Sequence, residues 1–333
     1  MLTTKESYAA IRHTAAVYNR GGEVLRLTGT HRVELLSWLL AKQTEFAEPG
    51  TVVESLILDE TGNVEGSALV VLDDEAAVVI ADSQTPLLPI ALAAIESLGL
   101  EGTFAEDAED LAAVLAIEGP LSWQVAEDIT EDPISEILLN EWRRGTLNGT
   151  GCLLVRIGTT AEYGYLVVTS AAGGTSAFDR LVDRAQGVGG GRIDKNVLHR
   201  AQAEVNHPVL PSQAQGLNIF EAGIQWMATP NRDDEYRGKA GVQLQAPGRK
   251  IVAAVSDNAD FPEAGTTVTD EGITVGRVQT STARAGLNSG FGLLLLDVPY
   301  CVPGLTLAAG GRSLSTVARP AVDPQSWTQQ IGG

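Results

Sequence analysis

VVESLILDETGNVEGSALVVLDDEAAVVIAD, residues 52–82, is the stretch on which the fold turns. It holds three β-rich runs, VVESLILD, SALVVLD and AAVVIAD, separated by ETGNVEG and by Asp73-Asp74-Glu75. Runs this short, rich in Val, Ile and Leu and joined by turn residues, predict an antiparallel meander. In the first run, alternation puts Glu54, Leu56 and Leu58 on one face. Upstream, helical spacing from Tyr8 to Val17 leads to a strand at Val24–Leu27 ending at Thr28-Gly29. Thr30 is placed to cap a helix from His31 to Lys42, whose Val33, Leu35, Leu36, Leu39 and Leu40 share a face.

Downstream, Thr85–Leu98 is expected to be helical with Pro86 in its first turn, and AEDAEDLAAVL to form an acidic-started helix. The strand AIEG, the helix LSWQVAEDI and a helical stretch from Pro133 follow, then the strands CLLVRIG and YGYLVV and the helix SAFDRLVDRAQ. Strands and helices are segregated, which predicts an α+β fold rather than a doubly wound sheet. The glycines of GVGGG (187–191) follow a helix and not a strand, so they form a loop and no dinucleotide fingerprint. From about Gln245 the chain becomes short strands punctuated by glycine, proline and aspartate, which predicts a small barrel or sandwich domain. The expected division is therefore 1–245 and 246–333.

With 333 residues and 44% hydrophobic content, the chain can bury a large core. Its 42 acidic against 23 basic side chains, a net charge of -19, oppose nucleic acid and anionic membranes as partners. Cys152 and Cys301 are too few for a disulfide framework or a multi-cysteine metal site and fit a reducing compartment. The opening MLTTKESYAAIRH has no apolar core of signal-peptide length, and the run from Gly292 to Asp297 is too short to span a bilayer. A cytoplasmic protein is expected. His13, His31, His199 and His207 stand at no metal-ligand spacing, so no metal is expected. There is no G-x-S-x-G elbow and no phosphate loop.

Several segments, in order, resemble the aminomethyltransferase (glycine-cleavage T-protein) family of folate-dependent one-carbon transferases. They are the run from Val24 through the meander, AIEGP (116–120), RIGTTAEYGYLVV with Glu162, Gly164 and Tyr165, FEAGIQWMATPNRDDEYRGKAG with Glu221, Gly223, Trp226, Tyr236, Gly238 and Lys239, and VGRVQTSTARAGLNSGFGLLLLDV. The resemblance implies a multi-domain folate-binding fold with a C-terminal β-barrel domain. Tetrahydrofolate or its 5,10-methylene form would be the cofactor, held in a central opening. It further implies transfer of a methyl, methylene, hydroxymethyl or aminomethyl unit to or from a small molecule. The alternative is a folate-binding regulatory or assembly protein without catalysis.

Departures from the family pattern bear on chemistry. Where the family's turn carries paired aspartates, this chain has Gly66 and Ser67, so a carboxylate that would orient a substrate amine is missing. A hydroxyl still donates once and accepts twice. Glu54, where the family tends to have tyrosine, either returns a carboxylate to the cavity or is an exposed strand residue. Ser67 and Glu54 are thus the candidate catalytic residues.

A pterin edge presents paired N–H donors that a carboxylate accepts in bidentate fashion. Aligning AEVNHP on the family pattern assigns that role to Glu204, while an alternative register puts Ala201 there. For the anionic glutamyl tail, Lys239 and Arg312 are the candidate basic groups. Tyr165 and Trp226 either pack on the pterin or belong to the core. The iron–sulfur maturation branch of the family is marked by a central cysteine, and residues 234–239 have none. A lipoyl carrier protein is not an expected partner.

Overall fold

The computed structural model describes residues 1–242, 247–258, 260–282 and 286–332. Helix α1 (Thr4–His13) leads into β1 (Ala16–Asn19) and β2 (Glu23–Gly29), and α2 (Arg32–Leu39) precedes β3 (Val52–Leu58), β4 (Val64–Leu72) and β5 (Ala76–Ser83). Next come α3 (Leu87–Leu98), β6 (Thr103–Asp107), β7 (Ala113–Glu118), α4 (Ser122–Ala126), β8 (Trp142–Leu147), β9 (Thr150–Arg156) and β10 (Gly164–Thr169). They are followed by α5 (Ala171–Gly187), β11 (Gly191–Arg192) and α6 (Lys195–Glu204). The last strands are β12 (Arg249–Ser256), β13 (Thr267–Asp270), β14 (Ile273–Ser281), β15 (Gly290–Asp297), β16 (Thr306–Ala309) and β17 (Arg312–Val317).

The meander forms as its alternation requires, inside a sheet ordered β3-β4-β5-β2-β6. A second sheet runs β11-β1-β7-β10-β9-β8, and the six last strands close a barrel ordered β12-β15-β14-β13-β16-β17. The fold is α+β with a C-terminal β-barrel. The two open sheets lie face to face. Leu69 and Val71 point inward with Val24, Val78 and Ile80, and pack against Ala116, Val155, Leu166 and Val168 of the other sheet. Ala68, Val70 and Leu72 point the opposite way, under Leu35, Leu39 and Leu87 of α2 and α3. On the far side α5 covers Val17, Leu115 and Val167 with Ala177, Leu181 and Ala185.

Several elements differ from expectation. AEDAEDLAAVL is not a helix: Ala105 and Asp107 pair with Leu27 and Leu25 of β2, a 3-10 turn spans Glu109–Leu111, and Ala113–Leu115 open β7. β6 pairs along the edge of one sheet and β7 fills the interior of the other, between β1 and β10, and that pairing overrode the helix propensity of Ala, Glu and Leu. Helix α1 stops at His13, and Ala16–Asn19 become a strand paired with β7. His31, not Thr30, occupies the N-cap of α2, without a side-chain cap, and the helix ends at Leu39. Pro86 is the N-cap of α3, where the Glu23 carboxylate accepts from the N–H of Leu87 (2.6 Å) and Leu88 (3.0 Å). The stretch after Pro133 is a single 3-10 turn, and β8 beyond it had no distinct signal. The expected boundary at 245/246 lies outside the described residues; the barrel's first strand begins at Arg249.

Candidate functional site

The inward faces of the two sheets are apolar along most of their length and turn polar at one end. Strand register explains it. Glu54 on β3 pairs with Leu69 on β4, and Ser67 lies directly between Leu56 of β3 and Asp82 of β5. Residues opposite one another in an antiparallel ladder share a face, so Glu54, Ser67 and Asp82 all look toward the second sheet. From that sheet Tyr18 and Glu118 look back, and α6 closes the side with Lys195, His199 and Gln202. The result is a cavity of about 120 Å³, completed by Arg20 and by the segment His207–Leu210. Ile157, Leu166 and Leu198 make its apolar wall.

Glu118 is fully engaged: its carboxylate accepts from the Tyr18 hydroxyl (2.7 Å), the Thr159 N–H (3.0 Å) and the hydroxyls of Thr159 and Thr160 (2.7 Å each). Burial and the Glu118 charge together hold the Tyr18 phenol well above its ordinary range. Lys195 donates from Nζ to the Arg20 carbonyl (2.6 Å), and burial draws its ammonium below the usual lysine range. Burial and then the Lys195 charge depress His199 as well.

Glu54 stands apart. Its side chain is 20% exposed, no hydrogen bond from a described residue reaches its carboxyl, and its ion-pair partner within 4 Å is His207, Nε2 to Oε1 3.8 Å. Burial pushes Glu54 up to about 7, against the pull of Arg20. Burial and the Arg20 charge push His207 down to about 4. Burial thus disfavours the charged form of both groups. His207 owes its place to the end of α6, where Asn206 takes a left-handed φ of 69° and the His207 N–H donates to the Gln202 carbonyl (3.1 Å). That is the bond of a Schellman cap, with asparagine in the position where glycine is usual.

Of the residues singled out in the sequence, Glu54 and Ser67 line this cavity and the others do not. Glu204 is buried on the opposite side of α6. Its carboxylate accepts from the Tyr8 hydroxyl (2.8 Å), from Arg12 Nη2 (2.9 Å) and from Arg200 Nε, which leaves it committed to an ion-pair network. Ala201, the alternative, is a core residue between the sheets. Tyr165 is one residue out of phase with Leu166 on β10, so it faces α5 and away from the cavity. Trp226 is 43% exposed on a separate 3-10 turn. Lys239 donates to the carbonyls of Asp233 (2.9 Å) and Asp234 (3.1 Å) and to Glu235 (3.2 Å), fastening its own loop. Arg312 lies on the barrel, 3.7 Å from Asp260.

Tyr18, Arg20, Asp82, Glu118, Lys195, His199 and His207 were not assigned from sequence. His207 sits within the AEVNHP segment on which Glu204 was aligned, and the left-handed Asn206 before it turns it toward the cavity. Among the described residues no cluster of three or more His, Cys, Asp or Glu side chains is placed to hold a metal ion. No described helix is long and apolar enough to cross a membrane.

Residues 3–232 match the family described as the GCVT N-terminal domain. The chain is 21% identical over 310 residues to the aminomethyltransferase of Streptomyces coelicolor, covering 90% of this chain and 83% of that one. It is 23% identical over 330 residues to the aminomethyltransferase of Halalkalibacterium halodurans, covering 96% and 89%. Among solved structures, the glycine cleavage system aminomethyltransferase T from Bartonella henselae superposes with a TM-score of 0.81 at 17% identity, over 97% of this chain and 90% of that one.

Proposed function

The chain belongs to the GCVT N-terminal domain family, and from that premise we propose that it binds tetrahydrofolate at the inter-sheet cavity and moves a one-carbon unit to or from a small molecule. The observation that carries the proposal is the Glu54 carboxyl, facing the cavity without a hydrogen bond from a described residue. An acceptor in that position fits the proton-bearing nitrogen at which the one-carbon unit is exchanged. At about 120 Å³ the cavity is smaller than the clefts of roughly 300–1,000 Å³ that bury whole drug-sized ligands, so a compact head group enters and a tail stays in the mouth. Arg20 and Lys195 take over from Lys239 and Arg312 as the basic groups for an anionic tail. In a chain of net charge -19 such groups must be local to the site.

Tetrahydrofolate, when bound, supplies the nitrogens that carry the one-carbon unit. Glu54, pushed up to about 7, is partly protonated at neutral pH and is matched to giving or taking a proton there. Ser67 contributes a neutral hydroxyl that orients without balancing a cation. The apolar wall excludes water from the reacting atoms.

Calorimetry with tetrahydrofolate and its 5,10-methylene form tests binding. Turnover of the methylene form in the presence of small amine, thiol and alcohol acceptors tests transfer. Glu54→Gln is expected to keep folate affinity within a few-fold and to lower turnover by about 10²–10⁴-fold; full turnover in that variant removes Glu54 from the chemistry. Ser67, neutral where the family carries an aspartate, favours a second reading, a folate-binding protein without catalysis. Its mark is calorimetric binding with no turnover of any acceptor.

A further inference from the structure

The cavity lining contains three carboxyls among the described residues, and they differ in how they are held. Glu118 is saturated by three side chains and a backbone N–H. Asp82 is exposed at the mouth. Glu54 accepts no hydrogen bond from a described residue and stands 3.8 Å from His207. We propose that Glu54 and His207 work as one unit, in which His207 is a positioning residue whose Nε2–H donates to the Glu54 carboxylate once Glu54 has released its proton into the cavity.

The geometry supplies the means. His207 is fixed through its backbone by the cap of α6, and Glu54 by its pairing in β3, so the two approach from independent elements. A gap of 3.8 Å is outside hydrogen-bond range for a neutral pair. It closes within a small side-chain rotation when one partner becomes an anion, because a charged acceptor draws a donor closer.

The other groups around the pair are Tyr18 and Arg20 at the end of β1, Asp82 of β5, Glu118 of β7, and Lys195 and His199 of α6. Arg20 decides the sign. Its charge favours ionised Glu54 and disfavours protonated His207, so loss of the proton leaves carboxylate beside neutral imidazole, not the reverse. The proton balance is simple. Glu54 O–H breaks as a proton moves to an acceptor in the cavity, His207 keeps its single N–H on Nε2, and returning the proton to Glu54 restores the resting pair.

The catalytic use of this pair rests on the one-carbon-transfer reading, but its existence is tested without folate. In ligand-free protein the Glu54 side-chain carboxyl carbon and the His207 ring nitrogens are followed by isotope-edited NMR across pH 5–9, with Glu54→Gln to assign the carboxyl. The two signals are expected to move with a common midpoint near 7, and the imidazole movement to vanish in Glu54→Gln. Imidazole nitrogens that stay flat between about pH 6 and 8 in the wild type overturn the proposal. His207→Phe, which fills the space without a donor, is expected to raise the Glu54 midpoint by about one pH unit, and His207→Gln to return it toward the wild-type value. Equal midpoints in the two variants overturn it as well. If the NMR coupling is found while folate fails to bind, the pair stands and the one-carbon reading falls.

Discussion

Glu54 and His207 carry opposite linkages to pH, and stability exposes them. Glu54 is raised from 4.5 to about 7, so the folded state holds its proton more tightly, and the stability it contributes is full below 4.5 and lost as pH rises through 7. His207 is lowered from 6.5 to about 4, so its contribution is full above 6.5 and lost as pH falls through 4. Between these limits the two contributions have opposite slopes and largely offset each other. Glu54→Gln removes one slope, and urea unfolding of that variant should gain about 3 kcal/mol between pH 4 and 6.5. A variant as flat as the wild type would mean that His207 is not buried neutral. Alternation put Glu54 on one face with Leu56 and Leu58 and left open whether that face met a cavity or solvent; the facing sheet decided it. What weakened the acidity of Glu54 was invisible, since that depends on walls supplied by other strands and by α6.

The helices show where pattern reading succeeds and where it stops. Helix α6 divides its faces sharply: Lys195, His199 and Gln202 meet the cavity, while Arg200 and Glu204 meet α1 and the barrel. The glutamate that looked like a ligand for a pterin is a ligand for Arg12 and Arg200. Removing one member of a buried ion pair costs about 3–5 kcal/mol, because the remaining charges stay desolvated. Glu204→Gln is therefore expected to lower the urea midpoint strongly while leaving folate affinity of the folded protein unchanged; a selective loss of affinity at unchanged stability would return Glu204 to the site. AEDAEDLAAVL failed as a helix for a related reason. Its composition favours helix locally, and only pairing to β2 at one sheet's edge and to β1 and β10 inside the other made strand the better solution.

Across the molecule, the barrel and the β3 edge share one core. Phe291 and Leu293 of β15 pack with Leu56 and Leu58 of β3 and with Ile219, Ile224 and Met227 of the connecting segment. The Arg200 guanidinium lies over the Phe291 ring at 4.9 Å, joining α6 to the same interface. Phe291→Ala is expected to cost about 3–5 kcal/mol and to shift the whole urea transition, read by far-ultraviolet dichroism and tryptophan fluorescence together. A separate early transition for the barrel would show that the shared core does not couple the two parts. A small barrel or sandwich was readable from short runs broken by glycine, proline and aspartate, because those runs carry their own turn chemistry; the family resemblance implied the barrel, and strand pairing closes it.

Local order and family were legible in the chain: the meander, the α+β class, the closing barrel, and the absence of an acidic side chain at Ser67. Each depends on neighbours in sequence or on motifs read in order. The composition of the cavity was not legible, because Glu54, Asp82, Glu118, Lys195 and His207 are separated by tens of residues and meet only when two sheets face each other and α6 closes their side. Which carboxylate is spent on an arginine and which is left free is a property of that meeting. Desolvation and hydrogen-bond partners are set by what packs around a group, not by what precedes or follows it in the chain.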